Sequence, residues 1–186
     1  DTLRERIVST VRKDAIPFET LLLEESRYPG FSLGDPSLDS FLGNAFGKSS
    51  LSLLSGPPGV GKTQFLLSAA CWCIAHQRHV LVLTSDRGIV IERILSILRA
   101  RQIQGTEVLS LLHIENVASI QDVFERVDPY QSMAEGACGG ILIDSLTPIL
   151  QPYLALDMNN GRSMIAHLFL FLRQVAVHCK CPILVR

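Results

Sequence analysis

Short apolar runs alternate with longer amphipathic segments from residue 50 to the end of the sequence. The apolar runs have the length of buried strands, and they read "SLSLLSG", "HVLVLTS", "VLSLLHIENV", "GGILIDSL" and "PILVR". The segments between them have helical spacing, and they read "GKTQFLLSAACWCIAHQ", "IVIERILSILRARQI", "SIQDVFERV" and "SMIAHLFLFLRQVAVHCK". Strands that are apolar along their whole length are typical of a parallel sheet covered by helices on both faces. The pattern predicts an α/β fold with a mainly parallel central sheet flanked by helices.

The first thirty residues have a different character from the rest. They combine a weakly helical stretch with the apolar and acidic segment "PFETLLLEE", and they end in Pro29-Gly30. We interpret residues 1–30 as a linker or partner-docking segment and residues 31–186 as the core. The core opens with a turn at Gly34-Asp35-Pro36, followed by a short helix that bears Leu38, Phe41 and Leu42. Because the sequence starts at Asp1 and stops within a predicted strand, we expect a longer protein that is truncated here at both ends.

Composition excludes several classes of protein. The chain has 186 residues, of which 47% are hydrophobic, and its net charge is −1, so it is neither disordered nor a strongly basic nucleic-acid binder. Its apolar runs are too short to cross a membrane, and we expect no membrane contact. Five cysteines include two C-x-C pairs. Residues two apart point to different faces of a helix, which favours buried free thiols over the alternative of a metal site.

The segment "GPPGVGKTQ" follows the first predicted strand and opens the first long helix. It satisfies the pattern G-x-x-x-x-G-K-[ST], in which glycines let the backbone N–H groups curl around a phosphate at a helix N-terminus. Lysine then reaches the β and γ phosphates, and the threonine hydroxyl ligates Mg²⁺. This predicts a P-loop NTPase with ATP and Mg²⁺ as cofactors. The nucleotide-binding residues from this motif are Gly56, Gly59, Val60, Gly61, Lys62, Thr63 and Gln64.

Two acidic residues follow predicted strands and are candidates for the remaining chemistry. Asp144 ends "ILID" and supplies the carboxylate that works with Thr63 to hold Mg²⁺. The next residue is Ser145, whereas ATPases of the AAA type carry a catalytic glutamate there. A base must then come from another strand, and Asp86 after "HVLVLTS" is the candidate, with Lys62 as the second catalytic residue. The alternative is that Asp86 only caps the following helix.

Taken together, "SLDSFLG", "GPPGVGKTQ", "TSDRGIVIERI" and "ILIDS" resemble the RecA-like recombinases from Gly34 to the end of the chain. The likeness is greatest to the eukaryotic paralogues of the strand-exchange recombinase, and to the D-type paralogue in particular. It implies a RecA-like core in which Arg93 packs on adenine. It also implies that Asp86 stands in place of a catalytic glutamate and Arg87 in place of a small residue. Because aspartate is shorter, we expect slow DNA-dependent ATP hydrolysis at best.

The resemblance further implies an ATP-binding subunit of a heteromeric complex that assists or remodels recombinase filaments on single-stranded DNA. Its partners would be another recombinase-like subunit and the recombinase filament, in homologous recombination and DNA repair in the nucleus. The region that faces DNA in relatives corresponds to "LTPILQPYLALDMNNGRS", a predicted loop whose only cation is Arg162, so DNA binding is expected to be weak or shared with the complex. Phe18 and Leu21–Leu23 either dock a partner or pack on their own core. The alternatives are an active AAA-type or DNA-dependent motor, and a nucleotide-stabilised scaffold without turnover.

Overall fold

The structure is a computed structural model that describes residues 20, 23, 32–42, 46–85, 91–103, 105, 107–155 and 158–186, with the backbone alone at 158–160. Phe18, Leu21 and Leu22 of the proposed docking segment lie outside the described residues, as do Asp86 and Arg87. Leu23 of the same segment is described and is 70% exposed. The division of the chain at residue 30 remains a prediction.

The strands form one sheet in which every described pairing is parallel. The strands are β1 (Leu51–Leu53), β2 (His79–Thr84), β3 (Leu112–Asn116), β4 (Cys138–Asp144) and β5 (Ile183–Val185). Their order in the sheet is β1-β5-β4-β2-β3. Four of them lie within the apolar runs and β4 begins one residue before its run, so the predicted parallel α/β sheet is confirmed. The first half of "VLSLLHIENV" belongs to a 3₁₀ helix at Glu107–Leu111.

Helices cover both faces of this sheet. The helices of the described ranges are α1 (Pro36–Leu42), α2 (Lys62–Ala75), α3 (Ile91–Ala100), α4 (Ile120–Val127), α5 (Thr147–Ala155) and α6 (Met158–His178). Helices α2 to α6 pack on the sheet, whereas α1 has no buried residue. One apolar cluster joins the sheet to α4, α5 and α6, and the other joins it to α2 and α3. Along β4, Ile141 and Ile143 belong to the first cluster and Leu142 to the second. Successive residues of a strand point to opposite faces, and both faces are covered here, which explains why every residue of β4 is buried.

The structure differs from the prediction in the region after β4. Residues 146–163 were expected to form a loop, but most of them belong to α5 and to the first turns of α6. The expectation was taken from the corresponding loop of the resembled family and was wrong, because this region forms helix despite Pro148 and Pro152. Pro148 lies in the first turn of α5, where its missing N–H has no helical partner to lose, and Ile149 anchors the helix with a side chain that is 1% exposed. The predicted helix α1 is present, although Phe41 on it is 86% exposed.

None of the helices in the described part of the chain combines the length and apolar character needed to span a bilayer.

A close approach between α2 and β4 fixes the phosphate-loop helix against the strand that ends in Asp144. A Cβ atom on Gly139 would lie 2.9 Å from the Cβ of Cys73 and 2.8 Å from the Cβ of Arg78. The Cys73 thiol also donates to the Gly139 carbonyl oxygen at 3.5 Å. Because these neighbouring atoms are near the backbone, they have little freedom to move aside. Only glycine therefore fits at this position without a shift of helix or strand.

We expect Gly139→Ala to lower the free energy of unfolding by about 1–3 kcal/mol, because the added methyl group overpacks the contact between α2 and β4. Urea titration followed by circular dichroism measures the change. Ala100→Ser adds one heavy atom at an exposed end of α3 and should change stability by less than about 0.5 kcal/mol. Equal stability of Gly139→Ala and the parental chain would contradict this account of the packing.

Candidate phosphate-binding site

The loop between β1 and α2 has the backbone that a phosphate-binding loop needs. Gly59 and Gly61 have φ angles of 81° and 93°, in the left-handed region that favours glycine. A Cβ atom at either position would meet nothing within 4 Å, so it is the conformation and not a lack of space that favours glycine there. Gly61 is the N-cap of α2 and provides no side-chain cap. The first N–H groups of α2 therefore lie at an N-terminus that attracts anions.

Lys62 folds back across this loop. Its Nζ atom donates to the carbonyl oxygen of Gly56 at 2.7 Å and to that of Pro57 at 2.6 Å. These two bonds hold the ammonium group over the loop rather than in open solvent. An anion that enters the loop would meet a positioned cation, so the loop geometry fits a phosphate group.

A pocket of about 220 Å³ opens at the N-terminus of α2. It is lined by Gly59, Gly61, Lys62, Thr63, Gln64, Arg93 and Arg186. Three of these residues are cations, and no carboxylate is among them. Arg93 comes from α3, and the fold brings it to the same pocket as the loop. The convergence of Lys62, Arg93 and Arg186 suits a ligand with several negative charges.

Three of the other predicted site residues, Gly56, Val60 and Asp144, are among the described residues. Gly56 precedes the pocket-lining residues in the same loop, and Val60 projects outward with 62% of its surface exposed. Asp144 ends β4 and is 3% exposed. Asp86, the predicted base, is outside the described residues. The assignment of these residues to nucleotide binding and catalysis stays a prediction.

Arg186 is the residue of this site that the sequence analysis missed. Its Nη1 group donates to the Thr63 hydroxyl oxygen at 3.1 Å and forms an ion pair with Asp144. Strand order explains the contact, because β5 lies between β1 and β4 and its carboxyl end therefore falls between the loop and Asp144. The sequence did contain a signal for this role, because Arg186 directly follows the apolar run "PILV". That position lies at the carboxyl end of a strand, where ligands bind in open α/β sheets.

The same contacts bear on the expected magnesium site. Thr63 and Asp144 are the two residues assigned to Mg²⁺, and one guanidinium bonds to both of them. A second cation beside that guanidinium would be repelled by it, and Mg²⁺ gives up its water ligands reluctantly. In this arrangement the two oxygens do not fit a magnesium ion.

The cysteines form no part of this site. All five are free and buried, as the spacing predicted. Burial raises the pKa of the Cys71 thiol to about 11, against a smaller opposing effect of Arg101, and it raises the pKa of Cys73 well above its usual range. Protonated, buried thiols are poor nucleophiles and poor ligands. Within the described ranges no three His, Cys, Asp or Glu residues are grouped so as to hold a metal ion.

The fold and the loop together define a RecA-like P-loop protein. The solved RadB recombinase matches this chain with a TM-score of 0.69 at 20% identity, over 83% of this chain and 68% of its own. No protein-family model matches the chain.

The chain is also similar in sequence to curated proteins, two of which share one description. The chain is 28% identical to "DNA repair protein RAD51 homolog 4" of Bos taurus over 166 residues, which are 83% of this chain and 51% of that protein. It is 30% identical to the Mus musculus protein of the same description over 150 residues, or 74% of this chain and 45% of that protein. The chain thus spans about half the length of these curated relatives. It is homologous, at modest identity, to recombinases of the RecA family.

Proposed function

We propose that this chain is an ATP-binding subunit that acts in homologous recombination and DNA repair, as a recombinase paralogue of the D type. The observation that carries the proposal is the pocket at the N-terminus of α2, where Lys62, Arg93 and Arg186 converge on a loop with two left-handed glycines. The curated relatives are described as DNA repair proteins, and the matched structure is a recombinase. RecA-family recombinases typically use ATP and Mg²⁺.

The residues of the loop have separate tasks in this proposal. Backbone N–H groups from Gly59 to Thr63 would hold phosphate oxygens, and Lys62 would exchange its bonds to loop carbonyls for bonds to the β and γ phosphates. Arg93 would contact the base through its flat guanidinium. When bound, the triphosphate supplies a reactive phosphoanhydride and a charge that ties the loop to α3.

In this proposal Asp86 is the base for ATP hydrolysis. Aspartate is shorter than glutamate by roughly 1.5 Å, the length of one carbon–carbon bond. Misplacement of a catalytic group by about 1 Å can cost about a hundredfold in rate. We therefore propose slow turnover. The chain would then act mainly by binding nucleotide. This mode of action resembles that of a nucleotide-stabilised scaffold more than that of an active AAA-type or DNA-dependent motor.

Asp86→Glu should raise the steady-state rate of ATP hydrolysis and Asp86→Asn should lower it, while the affinity for ATP stays unchanged within about threefold. Phosphate release from chains at equal concentration measures the rates. If both variants hydrolyse ATP at the parental rate, Asp86 is a helix cap or a surface acid and not the base.

We propose that the chain functions in a complex, because its charged residues provide little for DNA binding. The net charge is −1, and Arg162 in the first turns of α6 is the one cation of residues 146–163. Phosphate contacts depend on lysine and arginine, so single-stranded DNA would bind weakly or through partners. Tyr153 is half-buried and packs against the core, which leaves little of it to stack on a base. The partners would be another recombinase-like subunit and the recombinase filament, in the nucleus.

Docking to that subunit would use residues 1–30, of which the apolar Leu23 is 70% exposed. Co-purification of the second subunit with chains that carry or lack residues 1–30 tests this assignment. Equal yields from the two chains would rule out docking through this segment.

Lys62→Ala should weaken ATP binding about tenfold to a hundredfold, since charge-assisted hydrogen bonds contribute about 1.5–3 kcal/mol. Isothermal titration calorimetry measures the affinity. Lys180→Ala is the matched control, because Lys180 pairs with Glu135 and lies outside the pocket. Unchanged affinity in Lys62→Ala, with the fold intact by circular dichroism, would overturn the assignment of the loop to nucleotide.

A further inference from the structure

Asp144 is a buried carboxylate whose charge is balanced by Arg186. The side chain of Asp144 is 4% exposed, and that of Arg186 is 28% exposed. A charge in such a position needs a paired opposite charge, since burial without one costs several kcal/mol. The guanidinium provides that charge and also donates to the Thr63 hydroxyl. The Arg186 side chain therefore provides a hydrogen-bond donor to both Thr63 and Asp144, the two residues that were assigned to Mg²⁺.

We propose that Arg186 is a built-in cation that takes the place of Mg²⁺ at this site, so that nucleotide phosphates bind to the loop without a divalent metal. The inference rests on the proposed nucleotide binding, and it states that Arg186 rather than Mg²⁺ is the cation next to the bound phosphates. Arg186 thereby becomes a specificity-determining residue of the pocket.

The backbone fixes Arg186 on both sides of Asp144. The N–H of Arg186 donates to the carbonyl oxygen of Ile143 at 2.9 Å, and the N–H of Leu146 donates to the carbonyl oxygen of Arg186 at 2.8 Å. These bonds extend the parallel ladder between β4 and β5, in which Ile143 is paired with Val185. Arg186 thus leaves the sheet next to Asp144 and directed at the loop. Its contact with Thr63 follows from the register of the sheet and not from the chance position of a surface side chain.

The chemistry of a guanidinium suits this position. It carries five N–H donors and keeps its charge at every physiological pH. Two donors on Nη1 serve Thr63 and Asp144, and Nε and Nη2 carry three more. Arginine binds phosphate in a bidentate manner, and Arg186 lines the same pocket as Lys62 and Arg93. The side chain is thus placed to neutralise Asp144 and to face an anion at the same time.

A bound Mg²⁺ ion would have to break both bonds of Arg186. It would also have to displace a like charge from beside a buried carboxylate and lose part of its hydration shell. In the alternative arrangement, the Arg186 side chain moves aside when Mg²⁺ binds, whereas in our proposal it stays in place as the cation of the site. The two arrangements differ in one measurable property, the dependence of the site on Mg²⁺.

The first experiment measures melting temperatures without nucleotide, for the parental chain and Arg186→Gln, in MgCl₂ and in NaCl of equal ionic strength. We expect the parental melting temperature to be the same in both salts. Arg186→Gln leaves Asp144 without its cation, so its melting temperature should fall in NaCl and recover in MgCl₂. Arg99→Gln removes the same charge from an exposed position outside the pocket and should behave as the parental chain. A rise with MgCl₂ in the parental chain or in Arg99→Gln would overturn the proposal.

The second experiment measures ATP affinity by calorimetry in MgCl₂ and in EDTA. The parental affinity should change by less than about threefold, whereas Arg186→Gln should lose at least about tenfold in EDTA. A parental affinity that falls tenfold or more in EDTA would show that Mg²⁺ displaces Arg186, and the proposal would be wrong.

Two further outcomes are separable. If no chain binds ATP in either buffer, the proposed nucleotide function fails, and the melting experiment still decides the role of Arg186. If Arg186→Gln does not fold, Arg186→Lys is used in its place, because lysine keeps the positive charge. Lysine loses the bidentate geometry, so we expect weaker ATP binding that stays insensitive to Mg²⁺. A strong dependence of Arg186→Lys on Mg²⁺, together with one in the parental chain, would overturn the proposal.

Discussion

The parallel hydrogen bonding of β5 to both β1 and β4 is the constraint on which the site depends. Leu51 pairs with Ile183 on one side of β5, and Ile143 pairs with Val185 on the other. The carboxyl ends of the three strands therefore lie side by side. The phosphate-binding loop follows β1, Arg186 follows β5, and Asp144 ends β4. A slip of either register by one residue would turn the Arg186 side chain to the opposite face of the sheet and separate it from Thr63.

Charge is concentrated at this edge although the chain as a whole is nearly neutral. The net charge of the sequence is −1, yet three cations line the pocket, and the buried carboxylate of Asp144 is paired with one of them, Arg186. Local charges in a partly enclosed pocket act through a lower effective dielectric than charges on the open surface. The pocket is therefore suited to an anion. The near-neutral chain as a whole has no large excess of positive charge for binding the long phosphate backbone of a nucleic acid.

The features that could be predicted from the sequence are those with local causes. The central strands β2, β4 and β5 are predominantly apolar runs because both faces of the sheet are covered there. The phosphate-binding loop is a contiguous motif whose glycines show directly which backbone is needed. Helix α5 could not be predicted, because burial of Ile149 outweighs a pair of prolines and no local pattern shows that burial. Arg186 was missed since its partners Thr63 and Asp144 are far away in sequence and meet it only through strand order.

The central claim is that the loop before α2 binds the phosphates of a nucleotide, and hydrogen–deuterium exchange of the intact chain with and without saturating ATP tests it most directly. The backbone N–H groups from Gly59 to Thr63 would become bonded, so peptides that span residues 56–66 should exchange more slowly. Peptides from α4, on the opposite side of the sheet, should exchange as before. Unchanged exchange at residues 56–66, or protection found only elsewhere, would contradict the account.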